Sequence, residues 1–205
     1  SSSGAKVLQL RAVEYASKFN LPIRVLSSFN EGEGTLVQEE KNIMERPIVS
    51  GISSIDSEAK LTIRGVPDIP GVAAKILSPI SEAGIEVDVI VQNIGADNTT
   101  DFTFTVNKDD TKQAEEILKK TSTTLGGGLI DVDDEIAKIS IVGRGMRAHA
   151  GVASKMFQAL AKSEINISMI TTSEIKISVV IKRSEMTEAV KSLHNAFDLD
   201  KELDE

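Results

Sequence analysis

Sliding the chain 80 positions against itself brings GVAAKIL (71–77) onto GVASKMF (151–157), with glycine, valine, alanine and lysine identical. The match continues into IEVDVI (85–90) over INISMI (165–170). Beyond that point the best offset drops to 75, placing Val106 over Ile181, Ala114 over Ala189 and Leu118 over Leu193, so the first copy has a longer hairpin at NIGADNTTD. A register that persists through helix, strand, hairpin and second helix is the mark of a duplicated unit. The chain must therefore fold as two copies of one small motif.

Periodicity gives the motif. In the first copy, alternation predicts strands at 60–66, 87–93 and 101–106. Val72, Ala73, Ile76, Leu77 and Ile80 form a helical stripe, and a second helix runs from Thr111 to about Leu125 with Ala114, Ile117 and Leu118 inward. A closing strand is possible at Leu129 to Val132. The second copy repeats the order with strands at 138–142, 167–172 and 176–181 and helices at 152–161 and 184–197. Pro79 predicts a kink near Lys75 to Pro79, not a break, because the apolar stripe continues to Ala83.

The predicted fold is α+β: two ferredoxin-like βαββαβ units, each an antiparallel sheet with its helices on one face. The second copy lacks its own closing strand, since DLDKELDE after Phe197 reads as a frayed acidic tail. The β-rich PIVSGISS (47–54) has no partner in the first copy, so it is expected to complete the second sheet, inserting the first domain within the second. The expected boundaries are 57–134 for domain 1, 47–56 plus 135–199 for domain 2, and 200–205 for the tail. Residues 1–40 fit neither copy: Ala5 to Phe19 reads as a helix with Val7, Leu8, Ala12 and Tyr15 on one side, and Pro22 to Ser28 as a strand.

Composition closes off several functions. A net charge of −8 with 3% aromatic residues argues against a nucleic-acid surface, which needs basic and stacking groups. The absence of cysteine excludes thiolate chemistry and cysteine metal sites, and two histidines cannot make a histidine-rich one. No apolar run approaches the ~18 residues of a membrane span and no leader is visible, so the expectation is a soluble, cytoplasmic protein without a membrane partner. DVDDE (131–135) lacks organised ligand spacing and reads as a solvated loop; His149 reads as a turn residue and His194 as an exposed helical one. GRGMR (143–147) carries no nucleotide fingerprint.

One junction carries more chemistry. GVPDIPGVAAKIL (65–77) turns from strand to helix through Pro70-Gly71, leaving the first helical amides without intrahelical acceptors. Such a turn can hold a small anion or carboxylate, or simply turn the chain. The duplicate, MRAHAG, lacks the aspartate and proline and is expected to be weaker or empty as an independent site.

The stretches GAKVLQLRAVEYASKFNLPIRVLSSF, LTIRGVPDIPGVAAKIL, VDVIVQN, TTDFTFTV, ISIVGRGMRAHAGVASKMFQAL and NISMITTSEIKISVVI together resemble the regulatory half of the aspartate kinases (aspartokinases), with tandem ACT domains. VQN in the first copy together with TSEIKIS in the second is the specific part of that likeness. The resemblance implies that residues 1–40 are the end of a kinase domain. That domain's nucleotide and aspartate sites, and its Lys-Phe-Gly-Gly motif, are not in this sequence, so the chain has no catalytic residues of its own and should not phosphorylate aspartate alone. ATP and magnesium are implied only for the kinase domain; no cofactor or metal is expected here. The chain resembles either a separate regulatory subunit, partner to a catalytic one, or the carboxy-terminal part of a full kinase; a ligand-free dimerisation module is the third reading.

An ACT domain binds a free amino acid. Its α-carboxylate suits the amides of Gly71, Val72 and Ala73, its ammonium suits Asp68, and a polar side chain suits Gln92, which donates and accepts. The resemblance implies first-domain contacts at Asp68, Ile69, Pro70, Gly71, Val72, Ala73, Glu86, Val87, Asp88 and Gln92. It implies second-domain contacts at Val152, Ala153, Asn166, Ile167, Ser173 and Glu174. Ala153 and Glu86 stand where related enzymes can carry threonine and asparagine, which removes or alters side-chain hydrogen bonds there. Read without the family, Asp68 is a capping or turn residue, and Gln92 and Asn166 are ordinary polar strand and loop residues. The expected function is allosteric: L-threonine, L-lysine or both bind between ACT domains of a homodimer and lower aspartate kinase activity.

Overall fold

The computed structural model describes residues 7–38, 49–95, 97–143 and 151–200. The chain divides into two units, Ser1–Ile48 and Val49–Glu205. The smaller has helix α1 (Leu10–Lys18) and a hairpin of β1 (Ile23–Val25) and β2 (Thr35–Val37). The helix begins later than Ala5: Gln9 is extended, and its carbonyl accepts the amides of Ala12 and Val13, which sets the first turn there. Val7 and Tyr15 are exposed, and β2 was not anticipated because TLV is too short to show alternation.

The larger unit carries the duplication. Its elements are β3 (Val49–Ile55), β4 (Glu58–Pro67), α2 (Val72–Glu82), β5 (Val87–Ile94), β6 (Thr99–Asn107), α3 (Thr111–Thr124) and β7 (Leu129–Asp133). They continue with β8 (Ile136–Gly143), α4 (Val152–Lys162), β9 (Met169–Thr172), β10 (Lys176–Lys182) and α5 (Met186–Ala196). One sheet has the order β5-β6-β4-β7 and the other β3-β8-β10-β9, all pairs antiparallel. β3 precedes the whole first domain yet pairs with β8, so the first domain is inserted in the second.

Each copy buries its own core between helices and sheet. The first gathers Leu61, Ile63, Val72, Ile76, Ile80, Phe102, Phe104, Ala114 and Leu118; the second gathers Ala137, Ile139, Ile141, Val152, Met156, Leu160, Val179, Ala189 and Leu193. Phe102 and Phe104 meet with ring centroids 6.3 Å apart, within the range of favourable tilted pairs. α2 runs unbroken through Pro79.

The five described helices share one terminator. In α2 the amide of Gly84 bonds the Ser81 carbonyl and that of Ile85 the Ile80 carbonyl; in α4, Glu164 bonds Ala161 and Ile165 bonds Leu160. These are Schellman closures around a left-handed residue, with the buried Ile85 and Ile165 docking against the helix they end. α5 ends the same way at Asp198, with the Leu199 amide on the His194 carbonyl. Leu199 packs on the second core, so the chain after Phe197 is ordered at least that far instead of fraying at once.

Other departures have local causes. β9 starts at Met169, not Ile167, because both the amide and hydroxyl of Ser168 bond the Val180 carbonyl, interrupting the ladder. A short 3-10 turn, Arg183–Glu185, precedes α5. DVDDE is loop only in its last two residues: Asp131 and Asp133 lie on β7, pairing with Arg64 at 3.2 Å and Lys60 at 3.4 Å. His194 is half-buried, since α5 turns that side toward the core. The readings of His149 and of most of GRGMR and MRAHAG fall outside the described residues. No described helix is long and apolar enough to cross a membrane.

Candidate functional site

The strand-to-helix junction builds a pocket. Gly71, at the start of α2, has φ of 88°, a conformation that costs residues with a side chain, and the space around its Cα is open. Its turn lets the Val72 amide bond the Ile69 carbonyl at 3.1 Å and the Gly71 carbonyl accept from Lys75 at 3.0 Å. Among the described residues, no hydrogen-bond acceptor meets the amides of Gly71, Ala73 or Ala74. The helix start thus points free donors and positive partial charge outward.

The turn is held from the side by the longer hairpin of the first copy. The Asp68 amide bonds the Asn98 carbonyl at 2.9 Å, and within the hairpin Asp97 accepts from both the amide and hydroxyl of Thr99. The Thr99 hydroxyl leads the effects that hold the Asp97 carboxyl below its ordinary range. The extra hairpin residues therefore supply the carbonyl that fixes Asp68.

Asp68, Ile69, Pro70, Gly71, Val72, Ala73 and Gln92 together line a pocket of about 380 Å³. The Asp68 carboxylate and Gln92 carboxamide have no hydrogen-bond or ion-pair partner among the described residues, and Asp68 does not cap α2. Seven of the ten first-domain candidates thus converge. Glu86 and Val87 line a separate cleft with Leu77, Ser81 and Ile85, and Asp88 is ion-paired with Lys138.

The second-domain candidates are dispersed. Val152 is buried in its core, Ala153 is half-buried, and Asn166 is exposed. Ile167 borders a cleft of about 430 Å³ with Lys60, Thr62, Asn93 and Thr103. Ser173 closes the β9–β10 turn, its amide bonding the Lys176 carbonyl at 2.8 Å, and Glu174 is exposed at the tip. Gly151 repeats the left-handed entry, with φ of 102°.

A buried ionic cluster was not anticipated. Lys138 on β8, 4% exposed, bonds both Glu58 on β4 and Asp88 on β5. A lysine in the mostly apolar IAKISIVG was the available signal, since a buried ammonium requires carboxylate partners. Burial alone would lower the Lys138 pKa, but the hydrogen bonds and charges of Asp88 and Glu58 outweigh it and hold it above the ordinary value. Among the described residues no group of three or more histidine, aspartate or glutamate side chains could hold a metal.

The ACT domain family profile matches residues 61–122 and, in a second form, 139–197. The aspartokinase of Pseudomonas aeruginosa is 61% identical over 202 residues, 98% of this chain and 49% of that protein. A crystal structure of aspartokinase alpha and beta subunits is 50% identical, with a TM-score of 0.70 covering 74% of this chain and 99% of that one. The ligand-free regulatory subunit of aspartate kinase from Thermus thermophilus is 39% identical, TM-score 0.70, covering 73% and 99%. The chain spans about half the length of the curated relatives it matches.

Proposed function

Because the chain belongs to the aspartokinase family and carries its ACT-domain regulatory region, we propose that it is an amino-acid sensor mediating feedback inhibition of aspartate kinase. The observation that carries this reading is the pocket of Asp68 to Ala73 and Gln92. Free amides, a free carboxylate and a free carboxamide there match the carboxylate, ammonium and polar side chain of one amino acid zwitterion. L-threonine fits that complement, with its hydroxyl on Gln92; L-lysine is the alternative or companion effector. Its volume lies in the range of small-molecule sites.

The remaining parts follow from the same reading. The catalytic activity, ATP-dependent phosphorylation of L-aspartate, belongs to a kinase domain or catalytic subunit, and this chain alone transfers no phosphate. Regulation requires the effector to favour one arrangement of the ACT domains over the other. A homodimer pairing the first domain of one chain with the second of its partner would cover the edge strands β5 and β9. Those strands expose Ile90, Ile94 and Ile170. The second-domain candidates then face the pocket from the partner.

Calorimetry with L-threonine and L-lysine, separately and together, tests the reading. Binding is expected, and Asp68→Ala should weaken it about tenfold, the loss of one charged hydrogen-bonding partner. No heat with either amino acid at millimolar concentration would sink the sensor reading. Unchanged binding by Asp68→Ala would sink the site assignment alone.

A further inference from the structure

β5 does not run straight. Val87 pairs with Val106 and Ile90 with Phe104, so Asp88 and Val89 together oppose the single residue Thr105. That is a β-bulge, and it inverts which residues face the helices. Val106, Phe104 and Phe102 belong to the core, and their partners are Val87, Ile90 and Gln92. Continued from Val87 without the bulge, strict alternation would put Val91 on the helix side and Gln92 on the opposite face. With it, Gln92 joins the pocket at the start of α2, while Val91 and Asn93 border the cleft on the other face. The face on which Gln92 stands is decided four residues upstream.

Two contacts hold the bulge. The Val89 amide, out of the ladder, bonds the buried Thr105 hydroxyl at 3.2 Å. Asp88 bonds Lys138, which belongs to the other domain. Lys138 lies between Ala137 and Ile139 of the second core, so it projects from the opposite face of β8, and its ammonium also bonds Glu58 at the start of β4. One cation thereby ties the bulged edge strand to β4, two strands away in the same sheet, and both to the second domain.

We propose that Lys138 is a positioning residue for the first-domain pocket: by clamping the bulge at Asp88 it fixes the face on which Gln92 is presented. The inference rests on the effector reading and adds a residue from outside the pocket. Lys138 touches no part of the pocket and acts through the strand. It also makes the pocket's geometry depend on the second domain's placement, the dependence an allosteric site needs.

A double-mutant cycle on binding by the full chain tests this, with L-threonine and L-lysine as probes. Gln92→Ala is expected to weaken binding about tenfold and Lys138→Met about as much. In the Gln92→Ala background Lys138→Met should cost less than about twofold, because the side chain it positions is already gone. Equal losses in both backgrounds overturn the proposal, since general loosening is additive. Lys138→Met leaves Glu58 with a buried, unpaired charge, so the cycle is also run with Lys138→Met/Glu58→Gln, which removes that charge. An absence of heat with wild type overturns the effector reading and this proposal with it. Heat with wild type and additive losses overturns this proposal alone.

Discussion

Asp88 and Lys138 show how a single residue's environment can be tested by pH. Burial would raise the Asp88 pKa, but the hydrogen bond and charge of Lys138, with a further contribution from Lys176, hold the carboxyl below its ordinary value. The unfolded chain then takes up this proton more readily than the folded one. The stabilisation is full above about pH 4 and is lost as pH falls through the lowered value. Lys138 behaves oppositely, its contribution fading only above the ordinary lysine value of about 10.4. Urea midpoints of wild type and Asp88→Asn should therefore converge between pH 7 and pH 3, with wild type falling more steeply. Parallel curves would remove Asp88 from the account of acid stability. At this scale the turn residues Asp68 and Gly71 were legible, because proline, aspartate and glycine before an apolar helix carry their own geometry. The ionic cluster was not, because its three members are separated in sequence by up to 80 positions.

Among the elements, the repeated helix termini invite a direct comparison. α2 ends at Gly84 with φ of 75°, whereas α4 ends at Glu164 with φ of 57° in the corresponding position. A side chain in that conformation carries a steric cost that glycine avoids. Glu164→Gly should raise stability by about 0.5–1 kcal/mol in urea denaturation, and Gly84→Ala should lower it by at least as much. Core helices set a larger scale: Leu118→Ala, at a fully buried position on α3, should cost about 2–5 kcal/mol. A cost under about 1 kcal/mol would mean that α3 does not seal the first core. Helices and most strands were legible from their periods. The bulge in β5 was not, because IEVDVIVQN alternates apolar residues at 85, 87, 89 and 91 with polar ones at 86, 88 and 92, a pattern that reads as one unbroken strand with Gln92 on the opposite face.

For the whole molecule, the insertion of one domain in the other has a measurable consequence. β3 covers one edge of β8, and Val49 is buried in the second core. A chain beginning at residue 57 should keep a cooperatively melting first domain while the second, with one edge of β8 unpaired, loses its transition and associates through the exposed edge. Retention of both transitions would show that β3 is dispensable. Sequence alone determined the duplication, the helix and strand periods, the fold class with its insertion, and the family. Each is written in local spacing or in the match of one copy to the other. Tertiary structure alone decided that Gln92 faces the start of α2, that Lys138 is shared by two strands of the other domain, and that the second-domain candidates do not converge within one chain. Those outcomes depend on strand register and on packing between domains, which bring together residues that no local pattern links.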